Sequence, residues 1–341
     1  MLNKKRFLGV QATMICLIML LLLLTGCGGT ESTVQHHSAT EHTPAESNDK
    51  LTAESMPPAG EERTVKHAMG ETKLSGTPQK VVVLTSEGTE ALLALGVKPV
   101  GAVQSGLGDP WHDHIKDRMQ GVEVLGDETQ PNMELIASLK PDLILGNKVL
   151  HEKVYSQLSS MAPTVFSEDL AGDWKVNFRL YAEALNKKEE GDNILREFDQ
   201  KVEQAKLRMG DKTKSKVSLV RFLPGKVRLY MKDTFAGVLL DQIGFARPAS
   251  QDKDEFMEVI SKERIRDMDG DILFYWVSDY DETKAAAEYK NEWMKDPLWQ
   301  NLNVSKTNKV YQVDEVIWNT AGGVLAANLL LDELVTYFEA E

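Results

Sequence analysis

The chain has 341 residues, 42% hydrophobic and 27% charged, enough for about two domains and too apolar for a disordered polymer. Lys plus Arg total 39 against 52 Asp plus Glu, a formal charge of −13, and basic residues cluster only in the first six positions, so the phosphate-binding surface of a nucleic-acid partner is missing. Both cysteines, Cys16 and Cys27, precede the folded body, which excludes a disulfide scaffold and cysteine-based metal or thiol chemistry there.

Lys4, Lys5 and Arg6 precede an unbroken apolar run over residues 14–24. That run is shorter than the roughly 20 residues of a membrane span and suits a signal-peptide core. It ends in Leu24-Thr25-Gly26-Cys27, which resembles the lipobox of bacterial lipoproteins; the other reading is an ordinary secretory signal. The resemblance implies a signal peptide over 1–26, acylation of Cys27 and an anchor on the outer membrane face, where several acyl chains hold stably. Residues 27–73 read as a flexible tether, since no aromatic residue occurs from 28 to 73. Its His36, His37 and His42 read as solvated linker residues rather than a metal site, because an unstructured tether cannot fix metal geometry.

The folded body opens with the apolar β-branched run Lys80-Val81-Val82-Val83-Leu84, a buried strand by its pattern. A helix is predicted over 89–95, closed by Gly96, then an extended piece over 97–101. Helix over 136–139, strand over 141–145, helix over 154–161 and strand over 163–166 continue the alternation, which predicts a parallel sheet flanked by helices. Residues 174–209 are helical in composition, with a break expected near Asn186 and Gly191. Leu195, Phe198, Val202 and Ala205 mark one amphipathic face. The part from 187 to 209 would span about 34 Å, long enough to act as a strut between two lobes.

A second series follows: strands over 216–222 and 228–231, a helix over 234–243 closed by Gly244, a helix over 262–268 and a strand over 271–276. The segment from Glu134 through Ile136, Leu139 and Asp142 aligns with that from Glu263 through Ile265, Met268 and Asp271. The chain therefore reads as two similar α/β lobes: an N-terminal lobe over 74–186, the helix over 187–209, and a C-terminal lobe over 210–341.

The order of lipobox, tether, Pro78-Gln79-Lys80-Val81-Val82-Val83-Leu84, Ala94-Leu95-Gly96-Val97-Lys98-Pro99-Val100-Gly101, Leu139-Lys140-Pro141-Asp142-Leu143-Ile144, Ala162-Pro163-Thr164-Val165, long helix and Met268-Asp269-Gly270-Asp271 resembles the iron–siderophore substrate-binding lipoproteins of ABC importers in Gram-positive bacteria. Residues 220–230, Val-Arg-Phe-Leu-Pro-Gly-Lys-Val-Arg-Leu-Tyr, are most similar to the branch that takes hydroxamate and citrate-based siderophores. The resemblance implies two Rossmann-like lobes joined by a single long helix, a class III periplasmic-binding-protein-like architecture with the ligand in the cleft. It also implies a monomer that takes a ferric siderophore as cargo, has no cofactor and delivers to ABC permease subunits with a cytoplasmic ATPase. Matching glutamates, Glu134 and Glu263, would dock on permease arginines; each also stands near a helix start, where an acid favours the macrodipole.

A ferric chelate presents an oxygen-rich, often anionic surface, so its site calls for guanidinium forks and flat aromatic walls. Arg221 and Arg228 flank the Pro224-Gly225 turn, Tyr230 shares a strand face with Arg228, and Trp276 ends a strand where ligands of open α/β sheets sit. Trp318 precedes Thr320-Ala321-Gly322-Gly323, where small residues let backbone approach a ligand, and Trp111 follows a strand of the first lobe. Trp174, Trp293 and Trp299 read as core or rim. Related binders of citrate-type ligands place an arginine where this chain has Leu150, leaving Lys148 and His151 as substitutes. Haem, cobalamin and a catecholate siderophore are the alternative ligands, with Tyr230 or His151 as an axial haem ligand. His112 and His114 beside Asp109 and Asp113 raise a metal-dependent hydrolase, but nucleotide-binding, zincin and serine-hydrolase motifs are absent, and an enzyme is not expected.

Overall fold

A computed structural model describes residues 62–339. The signal peptide, Cys27 and the three tether histidines lie outside the described residues. The chain opens with an antiparallel hairpin of β1 (Glu62–His67) and β2 (Gly70–Ser75). Residues 62–73, expected to belong to a tether, are instead part of this hairpin. Val65 and Leu74 are buried beneath the hairpin, and Arg63 donates to the Ala184 carbonyl at 2.6 Å, tying it to the first lobe. Composition hid it because most of its residues are polar and face solvent.

The first lobe comprises β3 (Val81–Val83), α1 (Ser86–Ala94), β4 (Gly101–Ala102), β5 (Glu123–Val124), a small hairpin of β6 (Gly126–Asp127) and β7 (Gln130–Pro131), α2 (Met133–Leu139), β8 (Leu143–Asn147), α3 (Lys148–His151), α4 (Tyr155–Met161) and β9 (Thr164–Ser167). Five of these strands form a wholly parallel sheet in the order β5-β4-β3-β8-β9. Val81, Val82 and Val83 are fully buried, as a central strand covered on both faces requires. Thr85 caps α1 through its side chain, which accepts from the Gly88 amide at 3.0 Å.

Helices α5 (Trp174–Ala184) and α6 (Lys188–Met209) follow. The break falls at Asn186, which adopts φ 58°, in the left-handed region that asparagine tolerates. Gly191 is not a kink: it lies inside α6, and a Cβ there would come within 2.5 Å of the Ala182 Cβ, so it is the close-approach point between α5 and α6. Leu195, Phe198, Val202 and Ala205 form the buried stripe of α6, as their spacing predicts.

The second lobe comprises β10 (Val217–Leu223), β11 (Lys226–Tyr230), α7 (Phe235–Ile243), β12 (Met257–Ile260), a 3-10 helix (Lys262–Met268), β13 (Ile272–Val277), α8 (Ala285–Met294), α9 (Pro297–Gln300), α10 (Asn303–Lys306), β14 (Val310–Gln312), a π-helical turn (Val316–Thr320) and α11 (Val324–Glu339). Its sheet runs β12-β11-β10-β13-β14. Strands β10, β13 and β14 are parallel, whereas β11 pairs antiparallel with β10, through the tight Pro224-Gly225 turn, and with β12. The two lobes are thus similar without being copies. Nor does α11 belong to one lobe: it packs against α1 and α5 of the first lobe, α6 and α7.

Candidate functional site: the crevice between the lobes

Arg221 on β10 pairs in register with Arg228 on β11 and with Trp276 on β13, so all three share a sheet face, joined by Tyr230 two residues beyond Arg228. Arg221 is buried, yet every nitrogen of its guanidinium has a partner. Nε donates to Ser278 Oγ at 2.7 Å, Nη1 donates to the Tyr230 hydroxyl at 2.8 Å, and Nη2 donates to both the Tyr280 hydroxyl and Glu315 Oε1. Ser278 in turn donates to Glu315 Oε2 at 2.7 Å. Burial works against the Arg221 charge, but Tyr230 and Glu315 outweigh it and hold the pKa above its ordinary value. Arg228 differs: its buried Nε finds no hydrogen-bond partner, and it forms no salt bridge among the described residues.

Tyr230 and Trp276 meet edge to face with ring centroids 4.9 Å apart, and Phe256 stands 5.8 Å beyond Tyr230. Phe256 and Tyr280 are large exposed aromatics, 46% and 59% accessible, at the rim of this face. Among the described residues, cavities lined by both lobes lie between them, three of which hold room for a ligand or water. A central one of about 150 Å³ touches Ser86, Glu87 and Glu128 of the first lobe and Asn319 and Thr320 of the second. A second, of about 550 Å³, is bounded by Val149, Asp169 and Leu170 across from Asp233, Val238 and Phe256. The third, of about 700 Å³, lies between the loop carrying Asp109, Trp111 and His114 and the turn carrying Asp314 and Ile317. The larger two have the size of small-molecule sites.

The structure brings Arg221, Arg228, Tyr230 and Trp276 together and sets Trp111 on the wall of the largest cavity. Tyr230, Trp276 and Trp318, expected on the ligand wall, are instead fully buried. Trp318 packs tilted against Phe274, ring centroids 4.7 Å apart, and donates its indole N–H to Glu333 at 2.6 Å, inside the core. Gly323 makes room for Glu90 rather than for a ligand, since a Cβ there would fall 2.5 Å from Glu90 Oε2. Neither substitute for the arginine missing at Leu150 offers free charge. Lys148 pairs with Glu168, and His151 is buried with Nε2 donating to the Glu128 carbonyl at 2.6 Å and Nδ1 accepting from the Asn147 amide at 3.1 Å. Burial lowers the His151 pKa despite those bonds, so the ring is neutral near pH 7. The two histidines of the alternative hydrolase reading lie side by side, 5.7 Å apart, without a metal-ligand group around them among the described residues. Among the described residues, His114 bonds Glu90, both nitrogens of buried His112 lack hydrogen-bond partners, and no group of three or more His, Cys, Asp or Glu could hold a metal.

Ser278, Tyr280, Phe256 and Glu315 went unread in the sequence. Ser278 and Glu315 follow the carboxyl ends of β13 and β14, a placement rule that could have found them. Glu134 is exposed in the first turn of α2, where Asn132 caps the helix through the Glu134 and Leu135 amides at 3.1 Å. Glu263 is exposed in the first turn of the 3-10 helix, and a hydrogen bond with Ser261 holds its carboxyl below the ordinary range.

Two α/β lobes joined by one long helix, with cavities between them, define a class III periplasmic-binding-protein-like molecule. The chain belongs to the periplasmic binding protein family, whose model matches residues 81–317. It is similar to the probable siderophore-binding lipoprotein YfiY of Bacillus subtilis (strain 168), 47% identical over 329 residues, which cover 94% of this chain and 95% of that one. The Fe(3+)-citrate-binding protein YfmC of the same organism is 31% identical, covering 77% of this chain and 81% of its own. Among solved structures, Staphylococcus aureus SirA complexed with staphyloferrin B is 36% identical, with a TM-score of 0.76 over 81% of this chain and 98% of SirA.

Proposed function

We propose that this protein is an extracytoplasmic solute-binding lipoprotein that captures a ferric siderophore, of the hydroxamate or citrate-hydroxamate kind, and delivers it to an ABC permease for iron uptake. The observation that carries this reading is the sheet face of the second lobe, on which Arg228 stands beside the buried Arg221–Tyr230 pair, with the exposed rings of Tyr280 and Phe256 at its rim. Guanidinium and phenol donors suit the oxygen shell of an iron chelate, and the aromatic rings supply rigid apolar area. Arg228, whose Nε has no hydrogen-bond partner among the described residues, is the foremost contact. Trp276 supports Tyr230 from beneath, and Trp111 closes the crevice from the first lobe.

Iron remains cargo throughout, and the protein makes and breaks no covalent bond. The long helix α6, packed against α5, α7 and α11, limits lobe motion, so capture needs only small closure. Cys27 anchors the monomer by its lipid to the cell membrane of a Gram-positive bacterium, and Glu134 and Glu263 dock on the permease. The test is quenching of tryptophan fluorescence by ferric hydroxamates, citrate-hydroxamates, catecholates, haem and cobalamin. Ferric hydroxamate or citrate-hydroxamate complexes should quench at the lowest concentration. Silence toward every iron chelate, with a clear response to haem or cobalamin, overturns the reading.

A further inference from the structure

We propose that Glu315 makes the crevice select by ligand charge, admitting ferric complexes of little net negative charge and turning away polyanionic ones. This rests on the reading of the crevice as a ferric-siderophore site and goes beyond it by naming the charge class of the ligand.

The inference follows from where each charge near the crevice is spent. Arg221 is neutralised in place by Glu315 in a network closed by Ser278, Tyr230 and Tyr280, so its fork is not free to grip a carboxylate. Lys148 is matched by Glu168, and His151 is neutral. Leu150 adds none. Of these groups Arg228 alone lacks a carboxylate within salt-bridge distance among the described residues. Against it, Glu128 lines the central cavity, and Asp169 and Asp233 line the one beside Phe256, neither aspartate within salt-bridge distance of a cation among the described residues. A complex carrying several negative charges would enter a partly desolvated crevice with one free guanidinium and several carboxylates, where like charges repel more strongly than in water. A neutral or nearly neutral complex meets hydrogen-bond donors and aromatic walls without that repulsion. Glu315 is decisive because it is buried and bonded directly to the arginine that would otherwise attract anions.

The experiment compares two hexadentate all-oxygen iron complexes, neutral ferrichrome and the trianionic ferric enterobactin complex, by fluorescence titration of the full chain and of Glu315→Gln. The wild-type protein should bind the neutral complex at least tenfold more tightly than the trianion, and Glu315→Gln should shrink that ratio at least tenfold. Thermal unfolding confirms that the variant folds. If it does not fold, the double variant Asp169→Asn and Asp233→Asn, both exposed, should shift the ratio the same way. A wild-type preference for the trianion, or a ratio that moves less than threefold in the folded variant, overturns the charge selection while leaving the siderophore reading standing. Failure of every ferric complex to bind overturns that reading, and the charge selection with it.

Discussion

The Glu90 carboxylate and the Ala326 amide lie 3.0 Å apart although 236 residues separate them in the chain. Glu90 sits on α1 of the first lobe, fully buried, and the same oxygen accepts from the Leu325 amide at 3.0 Å. The carboxylate thus satisfies two amides that the first turn of α11 leaves open, and its charge favours the positive end of that helix. His114 bonds the other oxygen. Since α11 also packs on α6 and α7, this cap fastens the first lobe to the element that crosses between lobes. Glu90→Ala should cost about 2–4 kcal/mol, because buried amides lose charge-assisted partners. Hydrogen exchange at Leu325 and Ala326 should accelerate more than at β3. Unchanged protection there would refute the cap.

Burial gives His112 a pH signature. Its ring is 2% exposed, neither nitrogen has a hydrogen-bond partner among the described residues, and it lies face to face with His114 at 5.7 Å. Burial, then the neighbouring His114, lowers its pKa from 6.5 to about 4, with Asp314 and Asp113 pulling weakly the other way. The folded protein therefore keeps the ring neutral where the unfolded chain protonates it. The associated stability is present above about pH 6.5 and is lost as pH falls toward 4, by up to about 3 kcal/mol. His112→Phe keeps the ring and removes the proton, so the stability difference between wild type and variant should change over that window and stay flat above it. Parallel curves in denaturant melts from pH 7 to 4 would refute this.

Asp142 and Asp271 show how far the sequence could be read. They align in the two lobes, and each precedes a buried parallel strand. The Asp142 carboxylate accepts from the Gln79 and Lys80 amides at 2.8 and 2.9 Å, and Asp271 accepts from the Lys216 amide at 2.8 Å, so each clamps the start of the adjacent strand. The alignment was visible because it is local; its purpose was not, because the partners lie 63, 62 and 55 residues away. Asp142→Ala and Asp271→Ala should each lose about 1–2 kcal/mol, the Asn variants less, by thermal unfolding.

The same division between local and distant information explains the site. Strands, helices, the break at Asn186 and the stripe on α6 follow from spacing and turn chemistry. Arg221, Arg228, Tyr230 and Trp276 were found together because strand alternation and the Pro224-Gly225 turn place them on one face. The partners that decide what Arg221 can do, Ser278, Tyr280 and Glu315, arrive from later loops, 57, 59 and 94 residues on. Trp318 was misplaced because a tryptophan beside small residues looks alike in a core and at a crevice; only the packing on Phe274 and the bond to Glu333 tell them apart.

Glu134 and Glu263 carry the docking prediction. Both are exposed in the first turns of short helices at matching positions of the two lobes, and neither lines a crevice cavity. Paired exposed acids on separate lobes steer encounter with a basic partner and report lobe spacing. Glu134→Lys with Glu263→Lys should leave the dissociation constant for a ferric siderophore within about twofold and the melting temperature nearly unchanged, while uptake of radioactive iron by cells falls at least tenfold, the like-charge contact costing more than about 1.4 kcal/mol. Each single reversal should give an intermediate loss that worsens at low salt, where the repulsion is less screened. Loss of siderophore binding in the double variant would assign the two acids to the fold or the crevice instead, and undiminished uptake would remove them from docking altogether.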